Sequence, residues 1–432
     1  MERQRRVIVV GGGITGLTTA TSLAMRGIDT LLVEKNAACG GLVNSFTREG
    51  FLFDGGVRAI ENAGMILPMM QELEIDINLL PSKISVGVEN EVVNVETAES
   101  VNDYEEMLKR LYPGHQDDVT TVTGVIRKFD EYMKVLFGNE SPFFKDTKRD
   151  RRYYLTTFLP WLWKFLATGM AIMKMRMPVE DFLKKIITDQ GLIDIISQHF
   201  FKKTPAFFAM SYFSLYTDYY YPEGGVGQLT AKLEQKLADL GGRVLTETDI
   251  TAVDATSSRI TDQHGNTYGY DRLIWTADLK QLYRILAAEG SPAKVIAAVD
   301  REKELILSSK GAESVYTLFM GVDQPPEVYA QIAYGHFFYT PSRDGLGTLQ
   351  REDLQALYDS WESCTREDIL AWLDDFCRLN TYEISLPVLH DPGAAPEGQT
   401  GIIASFLLDY ELVRRIRDDG WYEEFAEYID TR

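Results

Sequence analysis

The chain has 432 residues, 45% of them apolar, and a formal net charge of −20. At about 150 residues per domain it has room for two or three domains around a large core, so a disordered chain is excluded. The acidic balance excludes general nucleic-acid binding, which needs a basic surface, and three cysteines (Cys39, Cys364, Cys377) make neither a disulfide framework nor a zinc pattern, as expected of a reducing, cytoplasmic compartment.

The basic start, residues 1–6, leads into the apolar run Val7-Ile8-Val9-Val10, which reads as a strand and not as a secretory signal. Gly11-Gly12-Gly13-Ile14-Thr15-Gly16 follows as a turn that opens a helix, with Ala20, Leu23 and Ala24 on one face and Gly27 at its end. A second strand, Leu31-Leu32-Val33, ends in Glu34-Lys35. Strand, glycine turn, helix, strand and acid in this order predict a dinucleotide grip. Gly11 turns the chain, Gly13 lets a pyrophosphate approach the helix N-terminus, and Gly16 lets the helix lie on the sheet. Glu34 is placed to accept from the adenosine ribose, and its charge disfavours a 2′-phosphate.

Next come Cys39-Gly40-Gly41-Leu42, Ser45 and Phe51-Leu52-Phe53-Asp54-Gly55-Gly56-Val57-Arg58. This pattern resembles the double-glycine motif of the flavin amine oxidase and phytoene desaturase superfamily. The resemblance implies FAD as cofactor, with the amides of Gly40 and Gly41 at the pyrophosphate and the segment through Gly56 and Val57 beside the flavin. The family commonly has Arg where this chain has Leu42, and Arg58 is the candidate substitute cation.

The strings 84–88 and 91–95 read as two short strands around a turn, and residues 104–108 and 125–129 as helical. Residues 153–175 are the most apolar window, following Lys145, Lys148, Arg149, Arg151 and Arg152 and containing Trp161 and Trp163. Pro160, Lys164 and Gly169 argue against a span. Two readings of residues 145–176 stay open: an interfacial helix on a membrane surface, or a buried wall of the substrate cavity. Residues 207–221 are dense in aromatic rings, which suit an elongated unsaturated hydrocarbon or ordinary core packing.

Tyr221-Pro222-Glu223-Gly224-Gly225 resembles a motif of phytoene desaturases, carotenoid isomerases and retinol saturases. Leu229, Leu233 and Leu237 then mark a core-facing helix. The resemblance implies that Ile250 lies against the adenine through its backbone and that Ala277 ends a strand next to the nucleotide. Residues 315–320 and 402–408 read as strands of a substrate-domain sheet.

The expected fold is α/β. A discontinuous Rossmann-like FAD domain spans 1–75 and 221–290, and an inserted α+β substrate domain with a helical, membrane-associating region spans 76–220 and 291–432. The resemblance also implies a C-terminal flavin-domain segment that is not visible before Arg432, so these 432 residues are expected to hold FAD loosely or not at all. His115, His199, His264, His336 and His390 include no pair at helical ligand spacing and read as core or surface residues, and no metal is expected. No acid or base stands out.

The function implied is an FAD-dependent oxidoreductase that desaturates, saturates or isomerises a polyene or isoprenoid lipid. Two alternatives are open: an amine or protoporphyrinogen oxidase-like flavoenzyme, and a non-catalytic binding protein.

Overall fold

The computed structural model describes residues 6–62, 64–137, 150–311 and 313–432. Of the basic cluster, Lys145, Lys148 and Arg149 lie outside the described residues. The chain divides into two compact units: Met1–Ile60, Met69–Leu80 and Tyr221–Gly311 form the first, and Glu61–Pro68, Pro81–Tyr220 and Ala312–Arg432 the second.

The first unit is built on a parallel four-stranded sheet in the order Arg243–Leu245, Asp29–Val33, Arg6–Val10, Arg272–Trp275. Its strands read as continuous apolar runs because both faces are covered. The helix Ile14–Met25 buries Leu17, Ala20 and Ala24, and Gly27 follows it with φ 73°. It packs against the helix Gly227–Asp239, whose Leu229, Leu233 and Leu237 are buried. Over the other face, Ile250 and Val253 of the strand Ile250–Asp254 and Ile260 of Arg259–Asp262 form one core with Ile8, Val10, Leu31 and Val33. Residues 291–311 depart from the expected boundary. The helix Ala293–Ser308 packs on Leu279–Ile285 in this unit and not in the substrate portion.

The second unit holds a mixed six-stranded sheet in the order Ser314–Val322, Thr400–Leu408, Tyr382–Ser385, His336–Thr340, Ile84–Val88, Glu91–Val95. Side chains alternate between its faces. One face, with Tyr316, Tyr382 and Phe406, packs on helices Arg366–Leu379, Tyr410–Asp418 and Tyr422–Asp430 through Trp372, Phe376, Leu412 and Phe425. Polar caps start the first two of these helices: Thr365 and Asp368 form a reciprocal capping box, and Asp409 accepts from Glu411 N. The opposite face carries Val86, Val88, Phe338 and Thr340 toward residues of helices Gln116–Phe137, Gln190–Ser197 and Ala206–Leu215. Residues 153–173 are helical, with a π turn at Tyr154–Phe158 before Leu159–Met173. The wider turn accommodates Pro160, which has no N–H to donate. No helix among the described residues is long and apolar enough to cross a membrane.

Candidate functional site

The glycine turn is held from three sides. Thr276 N donates to Val10 O at 2.8 Å, and its hydroxyl reaches Val10 O and Gly11 O. A Cβ on Gly11 would stand 2.8 Å from Ala277 N, and one on Gly16 would stand 1.9 Å from Gly11 O. Gly16 is thus where the helix backbone rests on the turn. At Gly13 the situation reverses: among the described residues no atom lies within 4 Å of the point a Cβ would occupy, and φ is −70°. Nothing in the fold requires glycine there. The open space adjoins the helix N-terminus, where Ile14, Thr15 and Gly16 present the first-turn amides and the first turn carries no acid.

Glu34 is buried at the tip of the second strand. Its Oε2 accepts from Gly12 N at 2.6 Å, and its Oε1 accepts from Asn36 N and Nδ2 at 2.9 and 2.8 Å. A carboxylate oxygen takes up to two hydrogen bonds, so Oε2 keeps one lone pair for a ribose hydroxyl. Lys35 is exposed. The segment from Leu245 runs alongside: Glu34 N donates to Leu245 O, and Thr248 N to Glu34 O. Ile250 lies two residues further on with its side chain in the core. Burial, reinforced by the charges of Glu234 and Glu34, pushes the Cys39 thiol up to about 12, so it stays protonated beside Gly12.

Gly40 N donates to Gly12 O at 2.8 Å, and a Cβ on Gly41 would stand 3.3 Å from Gly13 Cα. The second glycine pair therefore lies over the first, and Gly40 needs its freedom at φ 131° to reach that position. Leu42 is 74% exposed, while its carbonyl accepts from Val57 N and crowds Gly56. Arg58 is buried, donates to Gly56 O and supplies positive charge to Asp54.

Asp54, quoted in the motif but not singled out by sequence reasoning, ties these pieces together. Its Oδ1 accepts from Ser45 Oγ at 2.6 Å and Val226 N at 2.9 Å, and its Oδ2 accepts from Tyr221 OH at 2.9 Å. Two motifs more than 160 positions apart meet at one carboxylate. Each motif is legible as a short string, but the pairing of Asp54 with Tyr221 is a long-range contact.

In the second unit, Phe200, Tyr212, Phe213, Tyr216 and Phe338 enclose a cavity of about 50 Å³ with Met210, Ile195 and Val86. His199, read from sequence as a core or surface residue, lines it as well. None of residues 153–175 does, so the buried-wall reading of that segment fails for this cavity. The helix Leu159–Met173 fully buries only Thr168 and leaves Leu159, Trp163, Leu166, Met170 and Met173 exposed.

A parallel sheet whose first glycine turn faces open space, with an acid at the next strand end, defines a dinucleotide-binding fold. These residues fit the adenosine and pyrophosphate portions of FAD. The chain belongs to the flavin-containing amine oxidoreductase family, whose sequence pattern matches residues 14–411. Relatives include an inactive all-trans-retinol 13,14-reductase of Danio rerio, 26% identical over 61% of this chain and 43% of its own length. A lycopene-forming phytoene desaturase of Pseudescherichia vulneris is 23% identical over 91% of this chain and 74% of its length. A chloroplastic prolycopene isomerase of an Oncidium hybrid cultivar is 27% identical over 57% and 43%. The chain thus spans less than half the length of two of these three relatives. An oxidoreductase from Methanosarcina mazei shares the fold at TM-score 0.62 and 15% identity, covering 98% of this chain and 84% of that one. Reduced UDP-galactopyranose mutase shares it at TM-score 0.55 and 15% identity, covering 94% and 74%.

Proposed function

We propose that this chain is an FAD-dependent oxidoreductase acting on a polyene or other isoprenoid lipid. The observation that carries the substrate class is the cavity walled by Phe200, Tyr212, Phe213, Tyr216 and Phe338. Such a wall favours a flat, apolar, unsaturated ligand over a polar amine. The polyene names of the phytoene desaturase and prolycopene isomerase relatives support the same choice. The first-turn amides and Gly13 bind the pyrophosphate, Glu34 orients the ribose, and the rings position the ligand and exclude water. When bound, FAD supplies hydride acceptance from an allylic C–H, or hydride delivery in its reduced form. The test is anaerobic mixing of the flavin-loaded chain with phytoene in detergent. Loss of the visible flavin absorbance, with a product lighter by two hydrogens, is expected for desaturation. Bleaching by a polar diamine and not by the polyene would replace this reading with an amine oxidase.

We further infer that the helix Leu159–Met173 and the turn before it dock on an anionic membrane surface. Leu155, Leu159, Trp163, Leu166, Met170 and Met173 recur at helical spacing and are all exposed, Trp163 by 78%. Trp161 instead turns inward, donating to Val135 O and meeting the Phe165 ring at 4.7 Å. Residues 151–176 contain Arg151, Arg152, Lys164, Lys174 and Arg176 and no acid, in a chain of net charge −20. Vesicles of phosphatidylcholine and phosphatidylserine are expected to sediment the protein, less so in high salt and not at all with Trp163→Glu. Equal sedimentation of wild type and variant would refute the docking surface.

A further inference from the structure

The cavity of the second unit is lined by a buried polar atom that its apolar walls leave unmatched. His199 Nε2 is buried and has no hydrogen-bond partner among the described residues. The imidazole lies among rings, 3.9 Å from Phe200, 5.7 Å from Phe338 and 6.3 Å from Tyr212 between centroids. A second histidine, His336, lies 5.1 Å from Phe338 between centroids, with Glu383 Oε1 3.0 Å from its Nε2. A buried polar atom without a partner costs folding free energy unless something else pairs with it. Burial, opposed by the charge of Glu383, pushes the His199 imidazole down to about 4, so the ring is neutral near pH 7 and can meet an oxygen with an N–H or a hydroxyl with a lone pair. Tyr212 adds a second polar contact on the same wall. It accepts from Tyr219 OH at 3.0 Å, which leaves its own O–H to donate.

We propose that this cavity binds the oxygen-bearing end of an unsaturated ligand, a hydroxyl or carbonyl, with His199 Nε2 as its hydrogen-bonding anchor. The proposal rests on the polyene reading above and narrows it from hydrocarbons to oxygenated polyenes. The volume of about 50 Å³ suits a terminus and not a whole chain. A site built to hydrogen-bond an oxygen rejects the analogue lacking it, since the site's own polar atom is then stranded. A hydrocarbon end would bury His199 Nε2 unpaired.

The test compares two probes of one shape: all-trans-retinol, and axerophthene, in which CH₃ replaces CH₂OH. Each is titrated onto the full flavin-loaded chain, and binding is read from quenching of protein fluorescence. Wild type is expected to prefer retinol by about tenfold or more. His199→Phe, a ring of similar shape without nitrogen, is expected to bring the two affinities together, chiefly by weakening retinol. His199→Gln should retain part of the preference, and it decides the matter if the Phe variant fails to fold by thermal melting. Equal affinities in wild type, the result expected if a water satisfies His199, would overturn the anchor while leaving the polyene reading in place. A preference that survives His199→Phe would overturn it too. Binding of neither probe would overturn both.

Discussion

Valine in place of Gly13 is expected to abolish flavin binding while leaving the cofactor-free chain folded. The backbone at Gly13 has φ −70° and ψ 177°, which any residue adopts, and among the described residues no atom stands within 4 Å of a Cβ built there. The change should therefore cost the apo protein no more than about 1 kcal/mol. The side chain would fill the space over the helix N-terminus that a pyrophosphate needs, so FAD affinity should fall by a factor on the order of 100 or more, about 3 kcal/mol. Gly16→Ala makes the opposite pattern. Its Cβ would meet Gly11 O at 1.9 Å, and a backbone carbonyl cannot swing aside without moving the turn, so the apo fold should lose about 2–4 kcal/mol. Flavin titration and thermal melting of the two variants separate the roles. A Gly13→Val protein that stays yellow would remove the assignment of the pyrophosphate site.

The second large effect is expected at Asp54. It is wholly buried and accepts three hydrogen bonds, from Ser45, Val226 and Tyr221. Asp54→Ala strands all three donors and leaves Arg58 without the carboxylate it faces, at a cost of about 3–5 kcal/mol. Tyr221→Phe removes one bond to the carboxylate and should cost about 1.5–3 kcal/mol. Burial raises the Asp54 carboxyl above the usual range, with the hydrogen bonds and Arg58 pulling the other way. The sign follows: a raised folded value favours the protonated form in the native state. That contribution is full below the unfolded value and is lost as pH rises through the folded one. Asp54→Asn should abolish this pH dependence. Denaturant unfolding across pH would show it, and an Asp54→Ala protein as stable as wild type would show that the three bonds do not hold the unit together.

The strongest sequence signals were local ones. The strand from residue 7, the glycine turn and the helix ending before Gly27 appear where their pattern placed them, because hydrophobic periodicity and helix stops act over a few residues. The strands at 84–88 and 91–95 and the long strands through 315–320 and 402–408 were legible for the same reason. The features the sequence left open depended on which side a residue faces. Trp161 and Trp163 have identical chemistry, yet one donates inward to Val135 O and the other is solvent-facing, since two positions on a helix are about 200° apart. Residues 153–175 are apolar enough to be a buried wall by composition, but the helix presents its stripe outward.

Sequence by itself determined the class of cofactor. The residues proposed to hold the dinucleotide, from Gly11 to Gly16 and at Glu34, are contiguous or lie one βαβ step apart, so chain connectivity alone brings them together. It also determined the family, because the double glycine and the Tyr-Pro segment survive as short strings. Only the tertiary structure decided what those strings do to one another. Asp54 joins Ser45 to Tyr221 and Val226, and the second glycine pair lies over the first. The same holds for the cavity, where Val86, His199, Tyr212 and Phe338 come from four separate elements. Whether a histidine among aromatic residues is core, surface or cavity wall depends on burial and on missing partners. Those are properties of long-range packing, which no window of neighbouring residues encodes.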